Sequence, residues 1–490
     1  PSLYAEPRRI IDVEEAVREL RTVLPDLDED WLRDRLTGDQ GFVWVKRELT
    51  PAIQDAVMRL GIPGIDFITE SKRFYPGMNE AAHILGSTNV DNQGIAGIER
   101  HMDSESVALL QELGLARGNA LTPVELSVDM RVQHVLHEQL TDAMTRYQAI
   151  AAAGVMLDIH TGEVIALASV PDFNPNEPAT ALVKDTFNRI TSGIFEPGSI
   201  FKTVTMAGAL DSGAVAITDQ FDARYGIRFG RYTIDDFHGK HRILALPEVY
   251  KYSSNIGTIR IMQAMGKDNY RAFLSRMKFD QRVQFELPEM RVPTVPESFS
   301  EVGAATASFG HGLSVSPLHM VTAYAAFVNG GNYIAPTLYK RDIAEAEALY
   351  ERVLQPETSA YLRYLMRLNA ISTGGSGSQM NKAAQGYRVG GKTGTAEKVV
   401  DGRYSSSKVT NFFASAFPLD NPRYAMVIMV DEPKAENAQS GTTAGWNAGT
   451  LTGRVVQRVA PMLGIAPDFS EAVDQQIVPA EVRQLYPEGF

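Results

Sequence analysis

Three clusters in this sequence have the residue types and spacings that nucleophilic acyl transfer requires. Ser199 and Lys202 stand three apart in Glu196-Pro197-Gly198-Ser199-Ile200-Phe201-Lys202, a spacing that brings both side chains to one face of a helix. A hydroxyl beside an amine pairs a nucleophile with a base, provided that the lysine is neutral. Burial near a second cation lowers its pKa toward that state. Pro197 and Gly198 break the chain, and the apolar run from Thr203 to Leu210 follows. A buried helix is therefore expected, with Ser199 in its first turn, where the helix N-terminus favours developing negative charge. Ser253-Ser254-Asn255 is the second cluster, its hydroxyl suited to relaying a proton and its amide to holding a substrate amide. The third, Gly390-Gly391-Lys392-Thr393-Gly394-Thr395, follows the strand-like Tyr387-Arg388-Val389. Lys392 offers the second cation, and the Thr393 and Thr395 hydroxyls suit a substrate carboxylate. The glycines, Gly394 among them, let a substrate backbone lie along the strand edge as an added strand.

Each cluster alone also has a plainer reading. Ser-x-x-Lys recurs by chance in long chains, Ser253 to Asn255 reads equally as a helix cap before Ile256-Gly257-Thr258-Ile259, and the glycines round Lys392 read as a hairpin turn. Gly386 to Thr393 also fits the phosphate-loop pattern, with Met426 to Glu432 imitating the acidic strand that holds Mg²⁺. A phosphate loop needs a long helix straight after its Thr. Here Gly394-Thr395-Ala396-Glu397-Lys398-Val399-Val400 and an Asp401-Gly402 turn follow, which read as a strand and a turn. His134 and His137 share a helix face without a zincin pattern, and His238 and His241 lie in a polar stretch; all four read as solvated, and no metal or other cofactor is expected. The Gly-Ser-rich stretch Ser372 to Ser378 reads as a flexible loop without a site.

The elements that must position these clusters are legible in part. A helix is expected over Asp129 to Tyr147, with Val132, Val135, Leu136, Leu140 and Met144 on one face. Ala153 to Asp158 and Val164 to Val170 read as a hairpin, as do Asn411 to Pro418 and Tyr424 to Asp431, and a helix over Ala448 to Met462 closes the unit. Hairpins at both ends with helices between predict an α+β layering, one antiparallel sheet flanked by helices. The part before about residue 120 mixes short helices and loops: an acidic start at Asp28 leads to Leu36 and Gly38, and a Thr50 cap with Pro51 leads to Leu60 and Gly61. It reads as a non-catalytic module over 1–120, with the catalytic domain over 121–490.

A length of 490 residues implies more than one domain. The net charge of -12 argues against a nucleic-acid partner, which needs clustered Lys and Arg. With no cysteine, thiol nucleophiles and disulfides are excluded. No run approaches the roughly 18 apolar residues of a membrane span, and no signal segment is visible, in a sequence that opens on Pro1.

Ser-x-x-Lys, Ser-x-Asn and Lys-Thr-Gly, in this order, are the set shared by penicillin-binding proteins and class A β-lactamases. Phe195 to Ser199, Tyr252 to Asn255, Gly310 to Pro317 and Gly391 to Lys398 resemble class B penicillin-binding transpeptidases, particularly the cell-division type that partners a septal glycosyltransferase. Arg73 to Tyr75 and Gly94 to Glu99 resemble that class's pedestal domain, and His311 stands where many members have an aromatic. The Glu-x-x-Leu-Asn signature of class A hydrolases is not found between Ser253 and Lys392. The same fold could still deliver its acyl group to water, or act as a β-lactam sensor.

The resemblance implies a peptidoglycan D,D-transpeptidase of septal cell-wall synthesis, with Ser199 acylated by the D-Ala-D-Ala end of a stem peptide and trapped by β-lactams. Lys202 is then the base, and the backbone amides of Ser199 and Thr395 form the oxyanion hole. Ser253 and Asn255 relay protons and orient the donor, with Ser254 beside them, and Lys392 supports the electrostatics. Thr393, Gly394 and Thr395 hold the donor's carboxylate end. Stem peptides, β-lactams, a membrane glycosyltransferase and divisome proteins are the partners so implied. The implied location is the periplasmic face of the bacterial inner membrane, through an N-terminal membrane helix that this sequence does not contain.

Overall fold

The computed structural model describes residues 1–104, 123–400 and 402–486. The expected boundary near residue 121 and Asp401 of the expected turn lie outside the described residues. Packing divides the chain into Pro1–Tyr75 with Val90–Asn92, and Pro76–Asn89 with Gln93–Phe490.

The smaller unit contains β1 (Ser2–Ala5), α1 (Val13–Val23), α2 (Glu29–Leu36), β2 (Val43–Lys46), α3 (Pro51–Met58) and β3 (Ile65–Ile68). Asp12, Asp28 and Thr50 cap the helices, accepting from Glu15 N at 2.9 Å, Trp31 N at 2.8 Å and Ile53 N at 3.3 Å. The strands form an antiparallel sheet in the order β2-β1-β3. These strands add to the expected mix of short helices and loops: each has only four residues, too few for alternation to register in sequence. Leu3 and Ala5 point to one side and pack with Val17, Leu20, Leu32, Leu36, Val45 and Val57 in a core of the unit's own.

The larger unit holds α4 (Met130–Arg146), β4 (Ala151–Asp158), β5 (Val164–Val170), α5 (Lys202–Asp211), α6 (Leu246–Lys251), α7 (Asn255–Met265), α8 (Pro317–Val328), α9 (Pro356–Ile371), β6 (Gly390–Val400), β7 (Arg403–Phe417), β8 (Tyr424–Asp431) and α10 (Thr450–Met462). Its five-stranded sheet runs β6-β7-β8-β4-β5, antiparallel throughout, so the expected layering holds. Both faces are covered, which is why β4 and β8 read as continuous apolar runs. On one face Leu136 and Leu140 of α4 and Val455 and Val459 of α10 meet Met156, Phe413 and Ile428. On the other, Val204 of α5 and Leu318 and Val321 of α8 share a core with Val155, Phe412 and Val427. Each such side chain contributes roughly 1.5–3 kcal/mol relative to exposure.

Strand β7 begins at Arg403, earlier than the expected Asn411, because the polar Arg403 to Thr410 pairs with the far end of β6. Backbone pairing needs no apolar alternation. The nucleophile region departs from expectation as well: Gly198–Phe201 is a 3₁₀ turn, and Lys202 is the first residue of α5. Every residue of α5 from Lys202 to Leu210 is buried, so its hydroxyls need partners. Thr203 Oγ1 bonds the hydroxyls of Tyr324 at 2.7 Å and Tyr250 at 2.9 Å, and Tyr324 donates to Ile200 O at 2.9 Å. Those bonds tie the turn that carries Ser199 to the core.

Candidate active site

Ser199 is half-buried on its turn, and the turn lies flat on β6. Gly198 has φ +57, and a Cβ there would stand 2.8 Å from Thr395 O; one on Gly394 would stand 2.7 Å from Pro197 O. Only glycine at both positions allows this approach. Gly198 N also donates to Gly310 O at 3.1 Å, which closes the turn from the opposite side. The amides of Ser199 and Thr395 are thus carried on two segments in van der Waals contact.

Lys202 and Lys392, both at 0% exposure, converge on one hydroxyl. Each Nζ lies 3.0 Å from Ser253 Oγ, and the Lys202 amine also donates to Ser253 O at 2.5 Å and the Lys392 amine to Thr393 O at 3.2 Å. Ser253 is presented by a left-handed backbone, φ +56, which a non-glycine residue holds only where its surroundings enforce it. Burial pushes Lys202 down to about 7, against the pull of Asp236, which favours the charged form. Burial, and then the charge on Lys202, hold Lys392 well below the usual lysine value. Lys392 is the second cation expected beside Lys202; burial is the larger cause of both depressions, and each charge disfavours the other. Two buried ammoniums sharing one acceptor repel, so a neutral amine is the state the pocket favours.

Ser254 caps α7, accepting from Gly257 N at 2.9 Å and donating to Asp236 Oδ2 at 2.7 Å. Its hydroxyl, expected among the substrate-binding residues, makes both of these bonds within the fold. Asn255 opens α7 and its amide donates to Asp235 O at 3.2 Å. Asp235 and Asp236 carry no sequence signal, being two acids in a polar loop well upstream of the motif. Asp236→Asn is expected to lower the Lys202 pKa further, because it removes the one carboxylate that raises it. The acidic limb of any Lys202-dependent rate should then move to lower pH, measurable as acylation rate against pH; an unmoved limb would separate Asp236 from the base.

Thr393 and Thr395 stand half-buried on β6 either side of the buried Gly394. The Thr393 hydroxyl donates to Ser376 Oγ at 2.7 Å, so the Ser372 to Ser378 stretch, expected to have no role, touches the site. His311 Nδ1 bonds Glu196 Oε2 at 2.9 Å, while Gly312 N and Tyr404 OH reach Glu196 Oε1 at 2.8 and 3.0 Å. Although burial opposes ionisation, these bonds hold the Glu196 carboxyl below its usual value. The nucleophile turn is thereby fastened to the loop after Gly310 and to β7. His137 is not solvated as expected: its Nε2 bonds Asp172 at 2.6 Å, and His134 bonds Glu80 at 2.6 Å, whereas His238 and His241 are exposed. Lys392 and Thr393 lie on a strand, with no helix N-terminus after them to receive phosphates, which removes the phosphate-loop reading.

Residues 152–448 match the family model for the penicillin-binding protein transpeptidase domain. The chain is 34% identical over 472 residues to the probable peptidoglycan D,D-transpeptidase FtsI of Caulobacter vibrioides, covering 95% of this chain and 78% of that protein. It is 28% identical over 491 residues to the peptidoglycan D,D-transpeptidase FtsI of Escherichia coli, covering 95% and 81%. Among solved structures it resembles penicillin-binding protein 3 of Mycobacterium tuberculosis complexed with aztreonam, with a TM-score of 0.70, 26% identity, and coverage of 81% of this chain and 91% of that one.

Proposed function

Because this chain belongs to the penicillin-binding protein transpeptidase family, in its class B septal branch, we propose that it cross-links peptidoglycan stem peptides through an acyl-enzyme on Ser199. The observation that carries the reading is the convergence of Lys202 and Lys392 on Ser253 Oγ, beside a serine turn seated on Gly394 and Thr395.

Ser199 Oγ attacks the carbonyl of the penultimate D-Ala, and its proton passes to the neutral Lys202 amine. The carbonyl oxygen takes up charge between the amides of Ser199 and Thr395. The C–N bond breaks, the terminal D-Ala leaves with a proton relayed through Ser253, and an ester remains on Ser199. An amine of a second stem peptide then attacks that ester; it gives up a proton, and Ser199 recovers one. Asn255 holds the donor's amide, Thr393 and Thr395 its carboxylate, and Lys392 shares the charge of the amine pair. A β-lactam follows the first half of this path and stays attached.

Partners of the septal machinery, a glycosyltransferase among them, and a position on the periplasmic face of the inner membrane belong to the same reading. That reading extends from the peptidoglycan D,D-transpeptidase activity named for the relatives. The test is intact-mass spectrometry after incubation with a penicillin, alongside release of D-Ala from a D-Ala-D-Ala stem peptide in the presence of an amine acceptor. A long-lived single adduct with amine-dependent D-Ala release is expected. An adduct lost rapidly to water would make the protein a hydrolase, and an adduct without any D-Ala release a sensor.

A further inference from the structure

Two ammoniums next to Ser253 have no anion of their own. Lys251, the last residue of α6, is 6% exposed, and its Nζ lies 5.2 Å from the centre of the Tyr252 ring. Lys240, exposed in the loop after Asp236, places its Nζ 4.7 Å from the centre of the same ring. Among the described residues neither amine makes a hydrogen bond or an ion pair. The nearby carboxylates are already taken. Glu248 feels the charge of Lys251, but both its oxygens are bonded to Arg242, and it accepts from Ala245 N at 3.1 Å. Asp236 receives the Ser254 hydroxyl at 2.7 Å and Ile256 N at 3.0 Å.

An aromatic ring attracts a cation without cancelling its charge, and a buried cation that lacks a partner is costly. The arrangement is therefore completed by an anion from outside. A carboxylate fits: it accepts charge-assisted bonds from an ammonium, and these are strongest where water is excluded. Position says which carboxylate. Tyr252 directly precedes Ser253, through which, in the mechanism above, the leaving amine gains its proton. An incoming amine makes the same transfer in reverse, so the peptide that carries it passes beside Ser253. The donor's own carboxylate is engaged elsewhere, on Thr393 and Thr395.

We propose that Lys251 and Lys240, gathered at the Tyr252 ring, form a subsite for carboxylates of the acceptor stem peptide. This rests on the transpeptidase reading given above and extends it to the second substrate. Lys251, buried, supplies the stronger contact; Lys240, exposed and screened by solvent, supplies the weaker one. Neither amine touches Ser199, Lys202 or Lys392, so the subsite acts on capture of the acceptor and leaves acylation alone.

The test forms the acyl-enzyme of the whole protein from a thioester donor and measures transfer to two acceptors: an amine-bearing stem-type peptide with free carboxylates, and the same peptide with its carboxylates amidated. Lys251→Met is expected to raise KM for the acidic acceptor about 10-fold, the effect of one charge-assisted hydrogen bond. For Lys240→Met the rise should be about 2–5-fold. In both variants the amidated acceptor and the rate of penicillin acylation should be unchanged. Equal losses for the two acceptors, an unchanged KM for the acidic one, or slowed penicillin acylation would each overturn the proposal, the last by placing the amines in the donor half. Lys251→Met should melt no lower than the wild type, since it removes an unpaired buried charge. Were it to melt lower, Lys240→Met, whose side chain lies outside the core, would decide by the same criteria. A wild-type protein that is not acylated, or that transfers to neither acceptor, would instead overturn the function on which the proposal rests.

Discussion

Ser199→Ala is expected to take up no penicillin in intact-mass spectrometry, and to lose D-Ala release by about 10⁴–10⁶-fold, the range for removing a serine nucleophile from an assembled site. The magnitude follows from the geometry. Neither lysine can replace the hydroxyl, since both amines are wholly buried and bound to Ser253. Ser253 Oγ is the nearest alternative, but its oxygen is shared by two amines and its backbone is held in the left-handed region. The fold should be indifferent to the change, because Ser199 is half-buried and its hydroxyl has no hydrogen-bond partner among the described residues. Wild-type melting with no adduct is therefore the expected pair of results. A stoichiometric adduct on Ser199→Ala would remove this residue from the mechanism.

Why the clusters were legible, and their neighbours were not, follows from how each is encoded. Ser199 and Lys202 sit on a segment whose local signals agree: Pro197-Gly198 stops the chain, and the apolar run from Thr203 starts a buried helix. Even there the turn proved 3₁₀ rather than α, because Gly198 needs a positive φ to lie against Thr395. The Ala151–Asp158 and Tyr424–Asp431 strands were visible as apolar runs, since a sheet covered on both faces leaves no polar side. The three short strands of the smaller unit and the polar start of β7 lack that signal.

Asp236 acts on Lys202 through its charge, and Glu196 and Ser376 act through hydrogen bonds to residues on other elements; such contacts have no period to read. The phosphate-loop match shows the converse. Gly386 to Thr393 satisfies the letters of that motif, yet its glycines serve a close approach between β6 and a serine turn. A motif becomes evidence only with its surroundings: a helix after the threonine would have meant phosphates, and the strand observed means a substrate edge.

Replacing Lys202 by Met separates the two amines, each of which lies 3.0 Å from Ser253 Oγ. Lys202→Met keeps the volume and removes a charge that burial disfavours, so it is expected to fold at least as stably. In the wild type the folded pKa of Lys202, about 7, lies below that of the unfolded chain. The unfolded chain therefore binds the extra proton above pH 7, and stability rises with pH up to the free lysine value. That rise should be weaker in Lys202→Met. Acylation should fall about 10²–10⁴-fold, the usual worth of a general base. The wild-type rate should drop roughly tenfold per pH unit below about 7, as the amine becomes protonated. In Lys202→Met that limb should vanish. If Lys392 were the base instead, losing Lys202 would remove the charge that holds Lys392 down. The limb would then persist, shifted to higher pH, with the rate recovered at its top. The position of the limb in this one variant thus decides which of two amines, equidistant from the same hydroxyl, takes the proton of Ser199.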